Sequence, residues 1–224
     1  MNKETDDVVQ VIGVSKEFKG QMLYRDVSFS IPAGSITAII GPNGSGKSVL
    51  FRMICGFMEP DSGDIKIAPK FMSKGRDFPE DFGVIIDRPG YLAGVSGFRN
   101  LLELASIRGK ISKDKIAQTM RLLGLDPESK KPVRKYSLGM KQKLALTQAI
   151  MEDQRVLLLD EPFNALDAES VLIVRKLLKD LNKSGVTIIF TSHNQADVDA
   201  LATKVFQISN QKISEIPTSK AKKR

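Results

Sequence analysis

Residues 36–48 read ITAIIGPNGSGKS, and VLFRMICGF follows at 49–57. Ile36 to Ile40 is a short apolar run of the kind expected of a central strand covered on both faces. The glycine-rich octapeptide Gly41 to Ser48 comes next, and the run after it has helical character. Strand, glycine-rich loop and helix thus stand in the order that a phosphate-binding loop requires. Backbone amides in such a loop surround the β- and γ-phosphates, Lys47 supplies positive charge, and the Ser48 hydroxyl can coordinate Mg²⁺. The glycines matter because a Cβ would block close approach of the backbone or forbid the dihedrals of the turn. A plain strand-to-helix turn is the structural alternative, and the flanking elements favour phosphate.

Outward from this loop, short apolar runs alternate with longer segments of helical periodicity, the pattern of a parallel sheet wrapped by helices. Phe82 to Ile86, Arg155 to Leu159, Val186 to Thr191 and Val205 to Ile208 read as strands beside Ile36 to Ile40. Val8 to Val14, Asp26 to Ile31 and Asp64 to Ile67 alternate more and suggest a small, partly antiparallel sheet at one edge. Between Ser96 and Ala149 no convincing strand is found. Ile116, Met120 and Leu123 recur there at helical spacing behind a Ser112 cap, with Gly124 at the stop, which reads as a helical insertion.

Composition bounds the alternatives. The chain has 224 residues, 42% hydrophobic and 27% charged, which is ordinary for a folded domain and far from a disordered chain. One cysteine, Cys55, and one histidine, His193, exclude an internal disulfide and a Cys/His zinc cluster, and a reducing compartment fits. The start MNKETDDVVQ lacks the apolar core of a secretory signal, so the mature protein is expected to begin there. Val27 to Gly46 is uncharged, but its two prolines and four glycines exclude a membrane span. The net charge is +8, which favours nucleic acid, anionic lipid or phosphorylated ligands without choosing among them. Residues 108–143 alone carry +8 and residues 212–224 carry +4, whereas 1–107 and 144–211 sum to −1 and −3. The basic bias therefore lies in the inserted helices and the tail.

The strand Arg155 to Leu159 delivers Asp160 and Glu161 at its carboxyl end, where ligands of open α/β sheets bind. Two carboxylates there are costly without a cation. Asp160 is suited to the Mg²⁺ shell and Glu161 to polarising the water that attacks a γ-phosphate. An ordinary acidic turn before Pro162 is the alternative in isolation.

GPNGSGKS, YSLGMKQ, LLLDEP, ALD and TSH, in this order, resemble the ATP-binding subunit of an ABC transporter over almost the whole chain. The resemblance implies an α/β fold, a P-loop NTPase cassette with a RecA-like, mainly parallel core, an antiparallel β edge and an inserted helical subdomain. On that reading 1–87 and 150–211 form the β subdomain and core, 88–149 the helical subdomain, and 212–224 a basic tail, SKAKKR at its end being disordered when free. Gly41, Pro42, Asn43, Gly44, Ser45, Gly46, Lys47, Ser48 and Val49 would hold ATP, with Mg²⁺ on Ser48 and Asp160. Phe18 falls where the family stacks an aromatic ring on adenine, although a core aromatic would suit the same apolar strand. Ser137 and Gly139 match the signature segment that reads the γ-phosphate bound to an opposing subunit, whereas Leu138 and Met140 replace its usual glycine and glutamine. Asp167 matches the loop that communicates across the dimer, and His193 the histidine that hydrogen-bonds the γ-phosphate. Glu161, His193 and Lys47 are the implied catalytic residues.

Asp87 occupies the position of the family's glutamine. An acid there, like YSLGMKQ, resembles a branch that exports antibiotics and antimicrobial peptides, in which glutamate is the commoner acid. Asp87 is expected to alter metal contact or coupling to a membrane partner; a turn residue before Arg88 and Pro89 is the alternative. The implied partners are a separate transmembrane permease and a second ABC ATP-binding subunit, as homodimer or heterodimer. The implied location is peripheral, at the cytoplasmic face of the membrane, with the basic helices beside its anionic leaflet. A soluble ABC ATPase acting on nucleic acid or ribosomes ranks second, since it usually carries two cassettes or a coiled-coil insertion. A regulatory module without turnover ranks third, because the lysine, both carboxylates and the histidine are all present.

Overall fold

The computed structural model describes residues 6–73, 75, 78–87 and 90–218. Its first two strands, β1 (Asp7–Phe18) and β2 (Gln21–Pro32), form a long hairpin. The turn between them has positive φ at both Lys19 and Gly20 (52° and 77°). That is the turn whose twist matches the strands it joins, and it leaves Phe18 at the hairpin tip opposite Gln21. Both strands run further than their apolar alternation suggests, because Lys16 and Glu17 continue the ladder opposite Tyr24 and Met22. With β4 (Ser62–Ile67) on the far side of β1, they make a three-stranded antiparallel sheet.

Between these strands the chain forms β3 (Ile36–Ile40) and α1 (Lys47–Ile54). After β4 come β5 (Phe82–Ile85), α2 (Gly97–Arg108), α3 (Lys113–Leu122) and α4 (Leu138–Ile150), then β6 (Val156–Leu159) and α5 (Ala168–Lys183). The chain continues with β7 (Thr187–Thr191), α6 (Gln195–Leu201), β8 (Lys204–Ser209) and β9 (Lys212–Ile216). Six strands form one sheet in the order β5-β6-β7-β3-β8-β9, parallel except for the last. The register aligns Ile39 with Thr191 and Leu159 with Phe190, so β3, β6 and β7 end at the same edge. Everything functional in the sequence motifs after Ile40, Leu159 and Thr191 is thereby delivered to one place.

The central strands carry apolar or β-branched residues at every position because each buries both faces. Ile39, Leu158 and Ile189 pack with Tyr24 and Phe51 on the side of the small sheet and α1. Ala38, Leu157, Leu159 and Phe190 pack on the other side against Val174 and Leu178 of α5 and Val198 of α6. Each buried Val, Leu, Ile or Phe among them contributes about 1.5–3 kcal/mol by leaving water. Cys55 lies within the first cluster, where burial pushes its thiol up to about 12 and keeps it inert.

From Ser96 to Ala149 the described residues hold helices and a single bridge, Ser96 to Pro132. Ser112 caps α3 by accepting from the Lys115 amide (3.2 Å), and Gly124, at φ 71°, turns the chain after it. Leu101, Ile116, Met120 and Leu144 build a third apolar cluster there. The tail expected from residue 212 differs from the structure in its first part, which is β9. Ile213 is the one buried residue of β9, so too little apolar sequence marks it as a strand. SKAKKR, 219–224, lies outside the described residues.

Candidate functional site

The loop Gly41–Gly46 leaves β3 and turns into α1 at Gly46, whose φ of 100° suits glycine. A Cβ on Gly46 would also collide with the ring and hydroxyl of Tyr24, which donates to the Gly46 carbonyl (2.5 Å). Burial raises the Tyr24 phenol well above its ordinary range, so it remains a donor. Lys47 is buried, and its ammonium donates to the carbonyls of Gly41 (2.8 Å) and Pro42 (3.1 Å) across the loop. Ser45 Oγ is buried with no hydrogen-bond partner among the described residues. An orphaned hydroxyl and a loop-bound ammonium fit a ligand that brings its own anionic oxygens, such as a nucleotide phosphate.

Opposite the loop, Asp160 joins three elements. Ser48 Oγ, from α1, donates to its Oδ2, and Thr191 Oγ1, at the end of β7, donates to its Oδ1 (2.6 Å). One hydroxyl and one carboxylate make a hard-oxygen set too small to enclose a cation. Among the described residues no group of three or more Asp, Glu, His or Cys forms a cage. Such a set suits Mg²⁺, which keeps waters and phosphate oxygens in its shell.

Glu161 is held in the left-handed region at φ 50°, a conformation that costs about 1–3 kcal/mol and must be fixed by its surroundings. Its amide donates to Thr191 Oγ1 (2.8 Å). Its carboxylate, 20% exposed, lies 3.0 Å from Nδ1 of His193, whose ring is 65% exposed. The loop bearing His193 is tied down by buried Asp197, which accepts from Ser192 Oγ (3.0 Å) and from two nitrogens of Arg175 (2.6 and 3.0 Å). The imidazole therefore meets the Glu161 carboxylate from a fixed base while most of its ring stays exposed.

The expected residues divide into two groups. Phe18, Lys47, Ser48, Val49, Asp160 and Glu161 line one cleft of about 510 Å³, together with Asn43, Gly44 and Gly46. Phe18 also packs on the first core cluster, so its ring serves both surfaces. Gly41, Pro42, Ser45 and His193 are outside this lining although they touch residues that form it, and Ser137, Gly139 and Asp167 are outside it too. Ser137 caps α4 by accepting from the Met140 amide (3.2 Å), beside Leu138, which is 62% exposed. A Cβ on Gly139 would stand 2.7 Å from the Ala165 carbonyl, so this glycine lets α4 approach the loop before α5. Asp167 caps α5. Hydrogen bonds from the Ser170 hydroxyl and amide, then the charge of Lys143, hold its carboxyl below the usual carboxylate range. Asp87, at φ 57°, is ion-paired with Arg52 of α1, and lines a second cleft of about 530 Å³ that shares Asp160 and Glu161 with the first.

Thr191, Gln142, Tyr24 and Arg52 escape sequence reasoning as members of the site. Thr191 and Gln142 lie inside TSH and YSLGMKQ, but their hydrogen bonds join distant segments that no local pattern connects.

A family model described as ABC transporter matches residues 24–164. An uncharacterized ABC transporter ATP-binding protein of Bacillus subtilis is 34% identical over 203 residues, spanning 91% of this chain and 93% of its own. A bacitracin transport ATP-binding protein of Bacillus licheniformis is 33% identical over 220 residues, 97% of this chain and 72% of its own. Among solved structures, a dimeric ATP-binding cassette in a post-hydrolysis state with ADP and Pi has the same fold. Its TM-score is 0.81 at 22% identity, over 93% of this chain and 97% of the other.

Proposed function

The chain belongs to the ABC transporter family as an ATP-binding, ATP-hydrolysing subunit, and from that premise we propose that it powers a separate permease exporting an antibiotic, a peptide or another amphiphile. The observation that carries the hydrolytic reading is the meeting of Ser48 with Asp160 and of Glu161 with His193 at one end of β3, β6 and β7. Lys47 would exchange the Gly41 and Pro42 carbonyls for phosphate oxygens and, with the loop amides, hold the β- and γ-phosphates of ATP. Bound Mg²⁺ would supply neutralising charge on the phosphates, held by Ser48 and Asp160. Glu161 accepts a hydrogen bond from water and orients it for in-line attack, while His193 steadies that carboxylate and the γ-phosphate. Phe18 offers a ring to adenine. Asp87, engaged by Arg52, acts on coupling or metal contact beside these carboxylates.

Ser137, Gly139 and Asp167 complete the site of a second cassette in the same proposal, whether the pair is a homodimer or a heterodimer. Their position outside the chain's own cleft supports this. The division into a core, 1–87 with 150–211, and a helical arm, 88–149, is supported by the separate apolar cluster around Leu101 and Met120. No helix among the described residues is long and apolar enough to cross a membrane. The proposal places the span in the permease and the cassette at the cytoplasmic face. There the exposed Lys130, Lys131, Arg134 and Lys135 of the arm would meet the anionic leaflet. No observation favours nucleic acid or ribosomes.

Copurification with a membrane protein, followed by ATPase measurement with candidate cargo, tests the proposal. A severalfold stimulation by cargo is expected. Tight, steeply salt-dependent binding to DNA or RNA without cargo stimulation would instead support the nucleic-acid reading.

A further inference from the structure

Gln142, in the second turn of α4, reaches across to the strand end that carries Glu161. Its Nε2 donates to the carbonyl oxygens of Glu161 (3.2 Å) and Pro162 (3.0 Å). An amide nitrogen has two hydrogens, and these two acceptors occupy both. The peptide on the amino side of Glu161 is held separately, because the Glu161 amide donates to Thr191 Oγ1 (2.8 Å). With both flanking peptide planes held, the left-handed φ of Glu161 is maintained and the direction of its Cβ is set. That direction brings Oε2 to 3.0 Å from His193.

A second contact ties the same helix to the same loop. The missing Cβ of Gly139 lets α4 close on the Ala165 carbonyl. The loop 161–165 is thus gripped at both ends by residues of α4, the helix whose first turn carries Ser137.

We propose that Gln142 is a positioning residue for hydrolysis, which fixes the backbone of Glu161 so that its carboxylate meets water and His193 correctly. The role rests on the reading of Glu161 as the residue that orients water. It makes α4 the element through which a shift of the helical arm reaches the hydrolytic carboxylate. A packing residue at this position would need only volume, whereas a positioning residue needs its two donors.

Gln142→Met keeps the length and volume and removes both donors, and Gln142→Glu keeps the shape but turns acceptors towards two carbonyls. In the full chain with its membrane subunit, both variants are expected to lose kcat by ten- to a hundredfold, on the order expected for a small misplacement of a catalytic group. KM for ATP and the melting temperature of Gln142→Met should stay near wild type. Hydrogen exchange of amides in 161–166 should accelerate in Gln142→Met while α5 remains protected. A Gln142→Met protein with kcat within about twofold of wild type and unchanged exchange at 161–166 would overturn the proposal. Glu161→Gln, measured in parallel, separates the two ideas. If that variant keeps wild-type turnover, the reading of Glu161 fails by itself, and exchange at 161–166 alone decides whether Gln142 holds the loop.

Discussion

Asp87, expected from the sequence to stand where the family carries a neutral amide, has a partner in the structure. The carboxylate pairs with Arg52 of α1, the helix that begins at Lys47 directly after the phosphate loop. Asp87 is half exposed and Arg52 is 32% exposed, so the pair itself stabilises the fold by no more than about 1 kcal/mol. Its effect should therefore appear in coupling more than in stability. Asp87→Asn keeps a residue that tolerates positive φ and removes the charge. It is expected to lower transport and cargo-stimulated ATPase severalfold with little change in melting temperature. Measuring both activities checks this, and unchanged values of both would remove the role. That GPNGSGKS, LLLDEP and TSH stand at strand ends on one edge was legible from their order in the sequence. The partner of Asp87 was not, because Arg52 belongs to a helix read only as the continuation of the phosphate loop.

At the scale of elements, the buried strands were the easiest to read. β3, β6 and β7 carry apolar or β-branched residues at consecutive positions because both faces are covered, and their observed ends fall within a residue of the expected ones. The hairpin tip at Lys19 and Gly20 and strand β9 were hidden by charged, exposed residues whose ladder hydrogen bonds leave no hydropathy signal. Caps were legible where a hydroxyl precedes a periodic run, as Ser112 does. Asp167 caps α5 with a titratable group, which gives the helix a pH dependence of definite sign. Its native carboxyl sits below the ordinary 3.8, held first by the Ser170 hydrogen bonds. The stabilisation is therefore fully present above the ordinary value and is lost as pH falls through the lower native one. Asp167→Asn can still cap the helix but does not titrate there. Its acid-unfolding curve is expected to lose part of the decline below about pH 4, at the ordinary carboxylate pKa. Thermal melts from pH 2 to 6 check this, and superimposable curves would count against it.

Across the whole molecule, the +8 charge belongs to residues 108–143 and 212–224, while the remaining sequence is mildly acidic. β3, β6 and β7 end at one edge of the sheet, and α4 carries Gln142 against the Glu161 carbonyl there. Alternation of strands and helices announced this architecture. The strand order β5-β6-β7-β3-β8-β9 did not follow from it, because parallel pairing joins segments far apart in the chain. The proposed chemistry depends above all on Glu161 orienting the attacking water, with Lys47 on the phosphates and Ser48 and Asp160 on Mg²⁺. The direct test is Glu161→Gln, assayed for ATP affinity and for phosphate release on the same preparation. ATP should bind as tightly as to the wild type while turnover falls by roughly 10²- to 10⁴-fold. Near-normal steady-state phosphate release by that variant would contradict the account.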